Sequence, residues 1–225
     1  LGCRTMPGTL ALVGGAEWRV GCEFDRDLLE LSGGTDVLVV ATAAAYEHPG
    51  RVVEAAARWF AELGATVQAL DVYSRADALD AAKVAPIATA GFIYLAGTSP
   101  MHLRSVLKDS PAWAALVDAW QNGAVLAASS AGAMALCDPM VDPRGGALTL
   151  GLGLIDHVAV VPHHDTWSED KQKRTLKIAP AGLPIVGIDE RTALIRDGAG
   201  GWRAEGAGAV IVHLDGQIAD LSVLQ

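Results

Sequence analysis

The sequence predicts an α/β fold of three layers, α/β/α, in which a mostly parallel, doubly wound sheet lies between helices. Short apolar runs alternate with stretches of helical period along most of the chain. The run Ala124–Ala127 is apolar at every position, as a strand buried on both faces of a parallel sheet has to be. Several runs also end in small, glycine-bearing turns, Gly14-Gly15 and Ala96-Gly97 among them, where a strand leaves the sheet.

Taken in order, Thr9–Val13 reads as the first strand and Val37–Ala41 as the second. From Pro49 to Leu63 the apolar residues Val52, Ala56, Trp59, Phe60 and Leu63 recur at three- and four-residue intervals, and Gly64 follows as a cap, which predicts an amphipathic helix. Ala65–Leu70 is a third strand, Ala76–Ala88 a weaker helical stretch and Phe92–Leu95 a fourth strand. Two helices follow, Pro100–Leu107 and Pro111–Gln121, the second with Ser110 as N-cap and Pro111 at its first position. After the buried run Ala124–Ala127, shorter strands are expected at Val158–Val161, Pro184–Ile188, Ala193–Ile195 and Ala209–Leu214, with a helix over Ser168–Ile178. No internal repeat or linker interrupts this pattern, and 225 residues suit a single domain spanning 1–225.

Composition narrows the function. Hydrophobic residues make up 51% of the chain, yet the formal charge is −9, which describes a folded, soluble, acidic protein. A nucleic-acid partner is not expected, because phosphate binding needs a basic face; the short stretch Lys171-Gln172-Lys173-Arg174 reads as a solvated helix face. No apolar run reaches the roughly 18 residues of a membrane span, and the first 20 residues lack a basic segment followed by a long apolar one. The sequence opens on Leu1, so its natural start lies at Met6 or further upstream. Cys3, Cys22 and Cys137 are odd in number, without a CxxC spacing or paired histidines at metal-ligand intervals. A reducing cytoplasm and no metal are the corresponding expectations.

Chemistry concentrates in Ala124-Val-Leu-Ala-Ala-Ser-Ser-Ala-Gly-Ala-Met134. A buried strand runs straight into small residues, with Ala128 two before Ser130 and Gly132 two after it. That is the pattern of a nucleophile elbow, a tight strand-turn-helix that excludes bulky neighbours and projects a hydroxyl at the carboxyl edge of the sheet. Ala128 stands where such elbows usually carry their first glycine, and a Ser/Ala-rich turn capping an ordinary helix is the competing reading. Ser129 is the weaker nucleophile candidate, since Ala131 rather than a glycine follows two positions on. The N–H of Ala131 is placed to receive a developing oxyanion. Cys137, inside the following helix, reads as a packing residue.

Four segments, Leu12-Val-Gly-Gly-Ala16, Tyr94-Leu-Ala-Gly-Thr98, Ser129-Ser-Ala-Gly-Ala133 and Gly187-Ile-Asp-Glu-Arg-Thr-Ala193, make the chain resemble the S51 serine peptidases, the family of aspartyl dipeptidase and cyanophycinase. The resemblance implies a fold like that of the class I glutamine amidotransferases, flavodoxin-like in its sheet, and a Ser-His-acid hydrolase that needs no cofactor; a non-catalytic metabolite- or partner-binding member of the same fold and a small-molecule esterase or amidase are the alternatives. A small peptide or peptide-like substrate follows from the resemblance, and a homodimer is the commonest assembly to expect. Transfer of ammonia from glutamine is disfavoured, because Ser130 holds the position that a cysteine occupies in the amidotransferases.

His163 follows the strand Val158–Val161 and Pro162, at a strand end where a base can reach the elbow. In the family pattern the base is commonly followed by an aromatic, which puts His164 in the aromatic's place; the reverse assignment stays open. His48, His102, His157 and His213 read as structural or exposed. The acid that orients the imidazole is Glu190, after the strand Pro184–Ile188, or Asp165, at the spacing at which glutamine amidotransferases place a Glu after their His; Asp142 ranks third. Gly97 is the natural second oxyanion donor. Where the family usually has two glycines followed by Asn or Asp, this chain has Ala96-Gly97-Thr98-Ser99-Pro100. Thr98 and Ser99 would then offer substrate only short neutral groups, and a substrate blocked, internal or non-peptidic at its amino end is expected. Arg174 is the candidate cation for a substrate carboxylate, with a surface helix residue as the alternative.

Overall fold

The computed structural model describes residues 6–224, so Cys3 lies outside them. β1 (Leu10–Val13) is followed by α1 (Phe24–Ser32), β2 (Asp36–Ala43), α2 (Pro49–Glu62) and β3 (Thr66–Ala69). Two short helices, α3 (Arg75–Leu79) and α4 (Ala81–Val84), and a 3-10 turn at Ala85–Thr89 lead to β4 (Phe92–Gly97). Then come α5 (Pro100–Leu107), α6 (Pro111–Gln121), β5 (Val125–Ser129) and α7 (Ala131–Leu136). A small ribbon of β6 (Met140–Val141) and β7 (Leu148–Thr149) precedes β8 (Ala159–Pro162), a 3-10 turn at His164–Thr166, and α8 (Glu169–Ile178). The chain finishes with β9 (Ile185–Ile188), β10 (Thr192–Arg196), β11 (Trp202–Gly206), β12 (Val210–Leu214) and β13 (Gln217–Ala219), closed by a 3-10 turn.

The main sheet has seven strands in the order β11-β10-β1-β5-β4-β2-β3. β1, β5, β4, β2 and β3 run parallel, while β10 and β11 are antiparallel additions on the β1 side. Both faces are buried, as the all-apolar strands require. Leu10, Leu12, Leu126 and Ala128 face one core layer, with α5, α6 and α7. Ala11, Val13, Val125 and Ala127 face the other, with Phe24 and Leu28 of α1 and Phe60 of α2. Among the described residues no helix is long and apolar enough to cross a membrane.

The later strands sort differently from their order in sequence. β10 joins the main sheet, whereas β8, β9, β12 and β13 form a separate four-stranded sheet, order β13-β12-β9-β8, with β8 and β9 parallel. The weak helix expected at Ala76–Ala88 is broken at Asp80, whose backbone is extended (φ −82°, ψ 112°) and whose carboxylate caps the next turn through the Ala82 N–H. α1 was not expected at all. Its buried face carries Phe24, Leu28 and Leu29 but also Asp25, and a fully buried carboxylate in the apolar stripe hides the helical period.

Candidate active site

The ends of β1, β4 and β5 meet at the carboxyl edge of the sheet, where open α/β sheets bind ligands. β5 gives way to α7 through Ser130, whose φ of 51° and ψ of −110° lie outside the regions open to ordinary residues. The turn closes only because its neighbours are small. A Cβ on Gly132 would stand 3.0 Å from the Leu95 carbonyl oxygen and 3.3 Å from the Ala128 Cβ. Gly132 is therefore enclosed, with the Ala128 methyl as one of its walls. Ser130 Oγ lies half-buried, with its hydroxyl on offer, while Ser129 beside it is fully buried.

His163 meets that hydroxyl. Its Nε2 is 2.9 Å from Ser130 Oγ, and its Nδ1 is 2.8 Å from Glu190 Oε1. Asp165 takes a different position: its Oδ1 accepts the backbone N–H of Glu190 at 3.0 Å, holding the loop that carries the glutamate. His164 turns away from Ser130, over Gly187, with Nδ1 3.4 Å from Asp189 Oδ1 and its ring 6.4 Å from that of His213. Burial, and then His164, lower the pKa of His213.

The remaining candidates sit elsewhere. His48 stands at the N-cap position of α2 without a side-chain capping bond, His102 bonds through Nε2 to the Tyr73 carbonyl, and His157 pairs with Asp156. Asp142 is paired with Arg144, which draws its pKa down to about 2. Cys137 is fully buried, and burial pushes its thiol up to about 12, so it is no nucleophile.

One loop ties the three side chains together. After β1, the Val13 carbonyl accepts the Ser130 N–H, the Gly14 carbonyl accepts the His163 N–H at 2.7 Å, and the Gly15 carbonyl accepts the Arg191 N–H next to Glu190. Gly15 has φ +106°, and a Cβ there would lie 2.2 Å from His163 Cε1 and 2.4 Å from Nε2. Ser130, His163 and Arg191 have φ of 51°, 52° and 57°. Such backbone costs about 1–3 kcal/mol at each non-glycine residue and persists only where the surroundings enforce it, characteristically at functional sites.

Ala131 is the first residue of α7. The β4–β5 register pairs Leu95 with Ala128, and continuing it two residues sets Gly97 level with Ser130. The loop after Gly97 supplies only neutral side chains of its own, but a carboxylate reaches it from outside. Thr98 Oγ1 donates to Glu47 Oε2 at 2.7 Å, so a carboxylate from the β2–α2 connection stands where the loop itself lacks one. Ser99 is occupied as the N-cap of α5, accepting the His102 N–H. Arg174 is paired with Asp170 on its own helix. Among the described residues no cluster of three or more His, Cys, Asp or Glu is arranged to hold a metal.

Comparison with known proteins fits this geometry. Residues 10–201 match the model of peptidase family S51. The chain belongs to peptidase family S51. Curated cyanophycinases are similar to it: that of Synechococcus elongatus is 27% identical over 91% of this chain and 67% of its own length, and that of Nostoc sp. (strain PCC 7120) 28% over 89% and 72%. Among solved structures, a peptidase from an acI-B1 Actinobacterium superposes with TM-score 0.84 at 30% identity, covering 96% of this chain and 94% of that one. A Listeria monocytogenes EGD-e protein assigned to peptidase E, 19% identical, shares the fold with TM-score 0.64 over 92% of this chain and 98% of its own. This S51 protein is a peptidase with a mixed α/β fold and a mostly parallel sheet.

The sequence reading missed Gly15, Glu17 and Glu47. Gly15 belongs to the Gly14-Gly15 strand end, and Glu17 lies two residues beyond it, where no local pattern marks a role. Glu47 carries no local signal, because its partner Thr98 is 51 residues away.

Proposed function

We propose that this S51 peptidase cleaves a peptide or isopeptide bond by covalent catalysis at Ser130. The hydroxyl oxygen attacks the substrate carbonyl carbon as His163 Nε2 takes the proton, and the same imidazolium then protonates the leaving amine. Glu190 fixes the Nδ1–H tautomer and faces the positive charge as it forms. The N–H groups of Ala131 and Gly97 receive the oxyanion. Water then attacks the acyl-enzyme with His163 again as base, releasing the acid and restoring Ser130. The observation that carries this reading is the unbroken line from Ser130 Oγ through His163 to Glu190, at 2.9 and 2.8 Å.

The test is labelling with a fluorophosphonate, which reports an activated serine, followed by hydrolysis of aspartyl dipeptides, β-linked aspartyl peptides and simple esters. Labelling at a residue other than Ser130, or none, overturns the reading. Ester turnover without peptide turnover limits the chain to esterase chemistry. With Glu47 beside Thr98, the substrate's amino end no longer needs to be blocked. Free-amino substrates should exceed their N-acetylated forms by up to roughly fivefold in kcat/KM, since an exposed ion pair contributes at most about 1 kcal/mol, and Glu47→Gln should erase the difference.

Gly15→Ala tests the geometry from the other side. The new methyl has to displace the His163 ring, and misplacing a catalytic group by about 1 Å costs on the order of a hundredfold in kcat. Wild-type turnover in Gly15→Ala would mean that the ring position under Gly15 is not the working one.

A further inference from the structure

Ser129 precedes the proposed nucleophile and points the other way, into the core layer under α1 and α2. Its hydroxyl donates to Glu17 Oε2 at 2.6 Å, across 112 residues of sequence. Glu17 is held firmly for a residue in a connection. Both neighbours, Ala16 and Trp18, are non-glycine residues with positive φ, 50° and 60°. The Trp18 ring packs against that of Tyr94 on β4 at 5.1 Å between centroids. A loop that only covered the sheet edge would relax such backbone.

Polar groups gather behind the bond in an otherwise apolar layer. Asp25 and Tyr94 are fully buried. The Asp25 oxygens, the Tyr94 hydroxyl and the indole nitrogens of Trp18 and Trp59 have no partner in hydrogen-bond geometry. Burial raises the Asp25 carboxyl well above its usual range, opposed by the Trp59 indole and reinforced by the charge of Glu17.

On the reading of Ser130 as nucleophile, we propose that Glu17 is a positioning residue, acting through Ser129 to hold the elbow in its strained conformation. The Ser130 N–H is fixed to the Val13 carbonyl at the start of the same loop. Loop and elbow are thereby joined at two points, one of backbone and one of side chain. Without the Glu17–Ser129 bond, the elbow can relax its φ of 51° toward ordinary values. Ser130 Oγ then swings off the line to His163, while the substrate pocket keeps its shape.

The experiment measures the second-order rate of fluorophosphonate labelling at Ser130, and kcat and KM on a cleaved peptide, in the full chain carrying Glu17→Ala, Glu17→Gln, Ser129→Ala and the Glu17→Ala/Ser129→Ala pair. Each alanine variant should label about tenfold to a hundredfold more slowly, with kcat falling alike and KM unchanged. The double variant should be no slower than the slower single one, since both remove one interaction. Glu17→Gln keeps an acceptor oxygen and the side-chain shape, and should recover most of the rate. Wild-type rates in either alanine variant, additive losses in the pair, or a Glu17→Gln rate as low as that of Glu17→Ala would overturn the proposal. An unlabelled wild-type chain would instead strike the hydrolase reading itself and the clamp with it.

Discussion

Ser130→Ala should abolish fluorophosphonate labelling and lower kcat by roughly 10⁶-fold, the loss typical when a triad nucleophile is removed. Binding and the oxyanion donors remain, so a residual rate of about 10³–10⁴ over the uncatalysed reaction should persist. The thermal midpoint should hardly move. Alanine keeps the Cβ, and with it the strain of a residue at φ 51° and ψ −110°. Ser130→Gly separates the two effects: it is equally inactive, but it removes the clash that the left-handed backbone imposes on a side chain. It should therefore melt above Ser130→Ala, by about 2–4 °C for each kcal/mol released in a chain of this size. Equal midpoints in the two variants would show that the elbow stores no strain. Turnover surviving in both would remove Ser130 from the mechanism.

The elbow was legible in sequence because its constraint is local and steric: the turn from strand to helix leaves little room for a side chain at Gly132, packed against Leu95 and Ala128. The parallel core was legible for a similar reason, since strands buried on both faces leave no polar position. Other features depend on contacts distant in sequence. The split between a main sheet and the β13-β12-β9-β8 sheet is decided by which strands pair, and each strand alone looks the same in either place. α1 was hidden by Asp25 on its buried face, a polar residue where the helical period calls for an apolar one. The Glu47–Thr98 and Glu17–Ser129 bonds join residues 51 and 112 positions apart. No local spacing announces either of them.

The choice between Glu190 and Asp165 shows the same limit at the site itself, and it yields the second large effect. In sequence both carboxylates stand after a strand end, and Asp165 is the nearer to His163. The backbone separates them. His163 has φ 52°, and its ring is directed to Glu190 while Asp165 faces the Glu190 N–H. Glu190→Gln keeps the volume but can present an amide N–H to His163 Nδ1, favouring the tautomer with its proton on Nε2. That tautomer cannot take the Ser130 proton, and the imidazolium loses its counter-charge. A fall in kcat of about 10⁴-fold is expected, as for the equivalent change in other triads. Asp165→Asn should cost about tenfold or less, because a side-chain oxygen still accepts the Glu190 N–H and a single hydrogen bond contributes only about 0.5–1.5 kcal/mol. The two variants, assayed side by side on one peptide substrate, give opposite rankings under the two assignments. A larger loss in Asp165→Asn than in Glu190→Gln would make Asp165 the residue that orients the histidine.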